Sequence, residues 1–485
     1  MKKIPMACFF LAILTFATST PLAAQDTRPN IVMIIADDIG YEDTSPYGQM
    51  QVQTPVLERL AAEGLRFTNF FLTASSCSPS RCSLIAGRYP HNTGAAELHT
   101  PLPESVAIFP ELLKDAGYFT GQAGKWHLGP AARRGFDRIY DKGPEIGDGG
   151  EEMWVPLLQQ RPRDKPFFLW LASLDAHRPW GNNPFSGTHS PDAVDVPPYL
   201  ANAPATKADL ARYFDEISRF DAFIGKVETE LKRQGVLENT ILVVLSDNGR
   251  PFPRSKTRLI DSGIKSPLFI KWPQGIGQEG RVSESLLSSI DLAPTFLELA
   301  GVPIPDGFQG KSFSAVLKNP GLPFRQVVFA EHNWHDYEAH SRMVRTKDYL
   351  YIKNNRPGFS NPGPADSNSS DAFADLKRLR EAGSLNPAQV DVFMAPRPAE
   401  ELYRVTGEDT YQLLNRAIPG EEGGVLEYMR GMLEKWSTET DDTVPRQLTQ
   451  DWYDKETGHS LDQERIRGDM PGGPEALTTT NKGPF

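Results

Sequence analysis

Continuous apolar runs along the chain predict three buried β-strands, at residues 30–36 (NIVMIIA), 166–174 (PFFLWLASL) and 240–246 (TILVVLS). Amphipathic stretches between them predict helices over residues 56–63, 109–116 and 206–234. The last of these opens with a capping-box-like Thr206-x-x-Asp209 and ends before Gly235. Strands that alternate with helices predict an α/β fold, in which a mainly parallel sheet carries helices on both faces.

The pattern changes after about residue 335. An alternating stretch at 342–353 is followed by a loop rich in Pro, Gly, Asn and Ser at 355–370. A short strand at 402–405 and an amphipathic helix at 425–436 come next, and the polar end at 468–485 is typical of extended coil. We therefore expect a main domain over residues 25–335 and a smaller α+β subdomain with an extended tail over 336–485.

The first residues are typical of an export signal. Lys2 and Lys3 precede an apolar run over residues 6–17, and residues 22–24 suit signal-peptidase cleavage before Gln25. The run is too short for a stable membrane anchor, which is the alternative interpretation. The sequence therefore predicts a signal peptide at residues 1–24 and a periplasmic or secreted protein.

The net charge limits the possible partners. A value of −11 argues against nucleic acid as the main partner. It does not exclude an anionic substrate, because a local basic cluster can attract an anion into a cleft.

Cysteine usage singles out Cys77. Cys8 lies in the predicted leader, so Cys77 and Cys82 remain in the mature chain. Five residues apart on one helix, their side chains diverge around the axis, and no disulfide is expected. We interpret Cys82 as a small core residue, whereas Cys77 opens a distinctive motif.

Polar residues follow the three predicted strands and the segment at 118–123, at the edge where open parallel sheets bind ligands. In chain order they are Asp37, Asp38, Lys125, His127, Asp175, His177, Asp247 and Asn248. Single aspartates often cap turns, but Asp37-Asp38 matched by Asp247-Asn248 favours a cation that relieves the repulsion between like charges. These oxygen ligands suit Ca²⁺ or Mg²⁺ and not zinc.

The motif that starts at Cys77 predicts a helix N-terminus. Pro79 suits the first helical turn, which places Cys77 near free N–H groups and the positive end of the helix dipole. That position favours an anion and should lower the pKa of a thiol. Arg81 lies one turn further on and can point back to the same place. Thiol catalysis with a histidine partner is the alternative chemistry.

Cys77-Ser78-Pro79-Ser80-Arg81, followed by LIAGR at 84–88, closely resembles the signature of the type I sulfatases. Three further blocks resemble that family in order: Asp37-Asp38, residues 124–129 (GKWHLG) and Asp247-Asn248-Gly249. The resemblance extends from about residue 28 to the segment at 401–403. It implies an alkaline-phosphatase-like fold and a nucleophile made by oxidising Cys77 to formylglycine, which requires a maturase.

The resemblance also implies a role for each motif position. Calcium, with Mg²⁺ the weaker alternative, would be bound by Asp37, Asp38, Asp247, Asn248 and the modified Cys77. Arg81 and Lys125 would stabilise negative charge. His127 would handle the proton of the formylglycine hydrate, and His177 would protonate the leaving group.

One more cation is expected to bind the sulfate. The stretch from Arg250 to Thr257 resembles that of the sulfamidases, or heparan N-sulfatases, which have a basic residue at the position of Lys256. Lys265 is the second candidate, and one of these two lysines is expected to be an ordinary solvated residue. His99, His332 and His335 are candidates for lining the substrate pocket. Trp334 and His340 lie in the same region, and Trp334 is as consistent with core packing.

The resemblance thus implies a sulfatase that removes O- or N-linked sulfate from a sulfated oligo- or polysaccharide. Two alternatives remain: a phosphoester hydrolase of the same superfold, and a non-catalytic protein that binds sulfated glycans. The motifs set the chemistry, whereas the loops set the substrate. The sugar, the type of linkage and the oligomeric state are left open.

Overall fold

A computed structural model describes residues 1–2, 27–48, 51–277, 280–407, 409–418, 420 and 423–485. The predicted signal peptide lies, from residue 3 onward, outside the described residues. Within the described ranges, no helix is both long enough and apolar enough to cross a membrane.

The strands fall into three sheets. In chain order they are β1 (Asn30–Ala36), β2 (Leu65–Phe67), β3 (Phe70–Phe71), β4 (Phe119–Gly124), β5 (Arg138–Tyr140), β6 (Phe167–Ala172), β7 (Thr240–Ser246), β8 (Leu268–Lys271), β9 (Arg281–Ser283), β10 (Leu287–Ser288), β11 (Val328–His332), β12 (Ser341–Arg345), β13 (Tyr349–Asn354) and β14 (Glu400–Arg404). The large sheet has the order β5-β4-β6-β1-β7-β8-β2-β9, and β3 pairs with β10. β11 to β14 form an antiparallel sheet in chain order.

The large sheet is mainly parallel, as the apolar runs predict. β5, β4, β6, β1 and β7 run in one direction, and β8 pairs antiparallel with β7. β1 lies at the centre, where Ile31 is level with Phe168 of β6 and with Ile241 of β7. The ends of β1, β4, β6 and β7 that carry the polar motifs therefore meet along one edge.

Helices cover both faces of this sheet. In chain order the helices are α1 (Pro55–Glu63), α2 (Cys77–Ala86), α3 (Phe109–Asp115), α4 (Trp154–Gln160), α5 (Pro204–Arg233), α6 (Asp261–Ile264), α7 (Pro273–Ile276), α8 (Leu292–Leu299), α9 (Ser314–Lys318), α10 (Ala365–Asn368), α11 (Asp371–Glu381), α12 (Pro387–Val390), α13 (Val425–Glu439) and α14 (Gly473–Ala476). Ile31 and Met33 of β1 pack in one apolar cluster with α2, α3 and α8. Val32 and Ile34 pack in another with α1, α4 and α5, so alternate residues of β1 face opposite helical layers.

The start of the longest helix differs from the predicted one. α5 begins at Pro204, two residues before Thr206, because proline suits the first helical position. The amide and hydroxyl of Thr206 instead donate to Asp375 Oδ2 of α11, at 2.9 and 2.8 Å. Asp209 accepts two bonds from Arg178. Thr206 and Asp209 therefore bind neighbouring segments and do not form a capping box.

The second sheet and α13 confirm a C-terminal α+β subdomain. The alternating stretch at 342–353 divides into β12 and β13, and the predicted short strand is β14. The sheet begins with β11, before residue 335, so the division at 335/336 stays a prediction. The tail contains α14. It packs beside the end of α2, where Arg88 Nη2 donates to the carbonyls of Leu477 and Thr479.

Candidate functional site

Two neighbouring strands bring four oxygen-bearing side chains together. Asp37 and Asp38 follow β1, and Asp247 and Asn248 follow β7. All four are buried. The Asp38 amide donates to Asp247 Oδ1 at 3.3 Å, and Asn248 Nδ2 donates to Asp38 Oδ1. The convergence expected from the strand ends is therefore present.

Three cations surround these carboxylates. Arg81 Nε lies 2.7 Å from Asp247 Oδ2, and Lys256 Nζ lies 2.7 Å from Asp38 Oδ2. Lys125 Nζ donates to Asp37 Oδ2. Burial alone would lower the pKa of both ammonium groups, but Asp37 beside Lys125 and Asp38 beside Lys256 raise it above its ordinary value. Both lysines therefore carry positive charge at neutral pH.

Cys77 is the first residue of α2 and lies inside this ring of charges. It is 2 % exposed, and its Sγ is 3.9 Å from Asp38 Oδ1. The prediction of a lowered thiol pKa is wrong: burial raises the pKa of Cys77 and outweighs the opposing fields of Lys125 and Lys256. An unmodified Cys77 would be a neutral thiol and a poor nucleophile. As predicted, Cys77 and Cys82 are both free.

The carboxylate cluster fits a hard divalent cation. Asp37 Oδ1 and Asn248 Oδ1 are buried and have no hydrogen-bond partner among the described residues. One ligand atom each of Asp37, Cys77 and Asp247 lie within 4.8 Å of one another. The three carboxylates balance Arg81, Lys125 and Lys256, so a divalent cation would leave a net positive charge that suits an anionic ligand. The residues present therefore suit Ca²⁺ or Mg²⁺.

His127, which follows β4, and His177, which follows β6, line a cavity beside the carboxylate cluster. Its volume is about 800 Å³, and Asp37, Lys125, His127 and His177 contribute to its lining. Burial, with the fields of Lys125 and His99, holds the pKa of His127 well below its ordinary value, so this imidazole is neutral. His177 Nδ1 contacts the carbonyl oxygen of Arg178 and must donate to it. Its Nε2 lies 3.7 Å from Asp366 Oδ2.

Of the three histidines predicted to bind substrate, only His99 lines the large cavity. His99 lines the cavity, and its Nδ1 lies 2.7 Å from His127 Nε2. His335 Nδ1 lies 2.7 Å from the hydroxyl of Ser76, the residue before Cys77. His332 lies in a separate small cavity together with His335, and burial lowers its pKa to about 3. Trp334 packs against Cys77 and Trp452.

Lys265 is not brought to this cavity. Its Nζ lies 4.0 Å from the centre of the Tyr41 ring, in a separate cavity of about 120 Å³. Of the two lysine candidates, Lys256 is the one that the fold places beside Asp38 and Cys77.

Sequence reasoning missed several residues of the site. Asp366 of α10 interacts with His177 and with Lys256, and it lies in the segment at 355–370, whose composition predicts a loop. Glu216 and Arg219 of α5 also line the cavity, and Arg219 Nε lies 2.9 Å from Oδ2 of Asp175, the strand-end residue that the sequence does indicate. Glu216 and Arg219 interrupt the apolar face of α5, a pattern that could have indicated a buried polar site. No comparable signal marks Asp366.

Comparison with known proteins identifies relatives over most of the chain. The chain is 32% identical over 484 residues to human N-sulphoglucosamine sulphohydrolase, covering 90% of this chain and 94% of the relative. An ulvan-active sulfatase of Formosa agariphila is 28% identical over 465 residues, covering 85% and 75%.

Solved structures share the fold. One, in complex with its substrate D-glucosamine-2-N,6-O-disulfate, has a TM-score of 0.66 at 21% identity and covers 85% of this chain and 98% of that chain. A phosphonate monoester hydrolase from Silicibacter pomeroyi also has a TM-score of 0.66, at 18% identity, covering 85% and 95%.

Family models agree with these relatives. The sulfatase model matches residues 29–148 and 151–302. A second model, N-sulphoglucosamine sulphohydrolase, C-terminal, matches residues 255–356. The resemblance of the Cys77 motif is thereby confirmed, and the chain belongs to the sulfatase family.

Proposed function

We propose that this sulfatase hydrolyses sulfate from a sulfated carbohydrate, with N-sulfated glucosamine as the first candidate substrate. The observation that carries the proposal is Cys77 buried among three cations and three carboxylates, beside a cavity of about 800 Å³. The similarity to human N-sulphoglucosamine sulphohydrolase and the C-terminal match at 255–356 favour an N-linked sulfate.

The proposed nucleophile depends on modification of Cys77. Conversion to formylglycine by a maturase would supply a hydrated aldehyde whose hydroxyl attacks sulfur. The raised pKa of the Cys77 thiol supports this proposal, because a neutral buried thiol would not attack an anionic substrate. A leader at residues 1–24 would place the reaction in the periplasm or outside the cell.

Calcium is the proposed cofactor, held by Asp37, Asp38, Asp247 and Asn248. When bound, it would polarise the sulfate as a Lewis acid. Lys256 and Lys125 would hold the sulfate oxygens and neutralise the charge that develops on them.

The histidines would move the protons. His177, with Nδ1–H fixed by the Arg178 carbonyl, would donate from Nε2 to the leaving amine or alcohol. His127 is neutral and can accept a proton from the nucleophile.

The first prediction concerns Cys77 in protein co-expressed with a formylglycine-generating maturase. We expect Cys77→Ala to reduce turnover of N-sulfoglucosamine on the order of 10⁴-fold or more, because it removes the nucleophile. Intact-mass and peptide mass spectrometry should show the aldehyde or its hydrate at position 77. Glucosamine O-sulfates and a phosphate monoester complete the substrate panel.

Cys82→Ala is the matched control, since Cys82 lies on the same buried helix but outside the charged ring. This variant should keep its turnover. An active protein with unmodified Cys77 would refute the proposed nucleophile. Turnover of O-sulfates alone would refute the N-sulfate assignment, and preference for the phosphate monoester would refute the sulfatase proposal.

A further inference from the structure

We propose that His99 and His127 form a two-histidine proton relay, which carries the proton taken up beside the nucleophile out to water in the cavity. The relay rests on the proposed sulfatase reaction and goes beyond it by giving His99 a task in proton transfer in place of sugar binding. His99 acts through His127 and is therefore a positioning and relay residue.

The geometry of the two rings carries this proposal. His99 Nδ1 and His127 Nε2 are 2.7 Å apart, which is hydrogen-bond distance, and the ring centres are 4.8 Å apart. His127 is partly buried, with its Nδ1 inaccessible to solvent, whereas His99 is exposed. Both line the large cavity. A hydrogen bond thus connects an inner imidazole to an outer one.

The loop that carries His99 is fixed on three sides. The His99 amide donates to the hydroxyl of Ser78, in the first turn of α2, at 2.8 Å. The Leu98 amide donates to the carbonyl of Trp334 at 3.1 Å. Arg467 of the C-terminal tail donates to the Leu98 carbonyl at 2.6 Å and pairs with Glu97 at 2.9 Å. The backbone that carries His99 is therefore fixed beside His127.

The free nitrogen of His127 sets the direction of transfer. Its Nδ1 is buried and has no hydrogen-bond partner among the described residues, so it can accept a proton. The hydrogen on Nε2 then donates to His99 Nδ1, and His99 carries its own hydrogen on Nε2. When His127 Nδ1 takes up a proton, its Nε2 proton passes to His99 Nδ1, and the His99 Nε2 proton passes to water. No net charge stays on either ring. The starting tautomers return by the reverse transfer, when His127 Nδ1 gives its proton back to the re-forming nucleophile and His99 Nε2 takes one from water.

The surrounding charges favour this outward transfer. Burial and the fields of Arg467, Lys125, Lys256 and Arg465 lower the pKa of His99. The pKa of His127 is lowered further, by burial and by the fields of Lys125, His99, Arg81 and Lys256. An extra proton on either ring would be repelled towards solvent, so neither ring retains it and both imidazoles are neutral at rest.

The test compares His99→Asn with His99→Ala in the matured enzyme. The asparagine amide can occupy the place of Nδ1 and accept from His127, but it cannot pass a proton on. We expect its kcat to fall by roughly tenfold to a hundredfold, with KM changed less than about twofold. Alanine leaves room for water or added imidazole, so this variant should be faster than asparagine, and imidazole should restore it further.

His459→Asn is the control, because His459 is exposed and lies outside the cavity lining. A purely structural role for His99 predicts the reverse order, with asparagine faster than alanine, and that order would overturn the relay. A change in KM alone would assign His99 to substrate binding and also overturn it. Absence of sulfatase turnover in the mature wild type would refute the proposed function, and with it the relay.

Nuclear magnetic resonance of histidine nitrogens in the wild-type protein gives a second readout that needs no variant. The relay requires both rings to be neutral and to share one proton between His99 Nδ1 and His127 Nε2 at neutral pH. Observation of that shared proton supports the relay. Two imidazolium rings, or no coupling between the two nitrogens, would overturn it.

Discussion

A buried ion pair joins His91, in the segment after α2, to the C-terminal sheet. Its Nδ1 lies 3.0 Å from Glu331 Oε1 of β11, and its Nε2 lies 3.1 Å from the carbonyl of Thr440 at the end of α13. Both ring nitrogens therefore donate, and the ring is an imidazolium. Burial tends to lower the pKa of His91, but Glu331 and Asp442 raise it above 6.5. Burial tends to raise the pKa of Glu331, but the neighbouring charges of His91 and Arg342 lower it to about 2.

These shifts predict how stability depends on pH. Because the folded pKa of His91 is raised, its contribution is complete below about pH 6.5 and is lost as the pH rises through the folded value. The contribution of Glu331 is present above 4.5 and is lost as the pH falls towards 2. We expect His91→Gln to reduce the free energy of unfolding by about 3 kcal/mol near pH 6, and by less near pH 9.

Urea unfolding at the two pH values measures this difference. His459→Gln serves as the control, since His459 is exposed, and it should show no comparable change with pH. A loss at His91 that is equal at both pH values would contradict a charged pair.

At the scale of elements, α2 holds Cys77 and Arg81 in place because both of its ends are fixed. It follows Ser76, whose hydroxyl contacts His335, and it ends at Gly87, which has a left-handed backbone with φ 60°. The Gly87 amide donates to the carbonyl of Ser83. A Cβ at Gly87 would lie 2.5 Å from Phe308 Cδ1. Only glycine satisfies both the backbone angle and this contact.

Gly87→Ala therefore combines strain with a clash. We expect it to lower the free energy of unfolding by about 1–2 kcal/mol for the left-handed backbone and by about 1–3 kcal/mol more for overpacking. Gly235→Ala, just after α5, is the matched control, with φ 67° and nothing within 4 Å of the added Cβ. Equal losses in urea unfolding would show that Phe308 moves aside freely.

At the scale of the whole molecule, the site joins segments that are far apart in the chain. The strand ends supply Asp37 and Asp247, α2 supplies Cys77, α10 supplies Asp366, and the tail fixes the His99 loop through Arg467. A cation bound by Asp37, Asp38, Asp247 and Asn248 would link β1 and β7 at the centre of the large sheet. Metal binding should therefore stabilise the entire fold.

We expect calcium to raise Tm and chelation to lower it. At a free concentration about 100-fold above Kd, the gain in folding free energy would be about 2.7 kcal/mol. Calcium should act more strongly than zinc, because the ligands are hard oxygens. Differential scanning fluorimetry measures the shift.

Asn248→Ala removes one of the proposed oxygen ligands and should weaken the calcium-dependent shift in Tm. An unchanged Tm of the wild type after prolonged dialysis against a chelator would contradict the proposed site.

Much of the site could be predicted from local sequence. Asp37, Asp38, Asp247 and Asn248 follow apolar runs of seven residues that predict buried strands, and parallel strands bring their carboxyl ends to one edge. The Cys77 motif added the chemistry through its resemblance to the sulfatases, which the relatives confirm. The predicted start of α5 was wrong by two residues. The polar pattern at Thr206 resembles a helix cap, but in the structure Thr206 donates to Asp375 and the helix begins at Pro204.

The sequence by itself determined the strands, the polar strand ends and the helix that begins at Cys77, since apolar periodicity and motif spacing are local properties. The tertiary structure decided which lysine accompanies the cluster, because Lys256 and Lys265 are both basic and only packing places Lys256 beside Asp38. It also decided the raised pKa of the Cys77 thiol, because desolvation depends on everything packed around that residue and outweighs the local effect of the helix end.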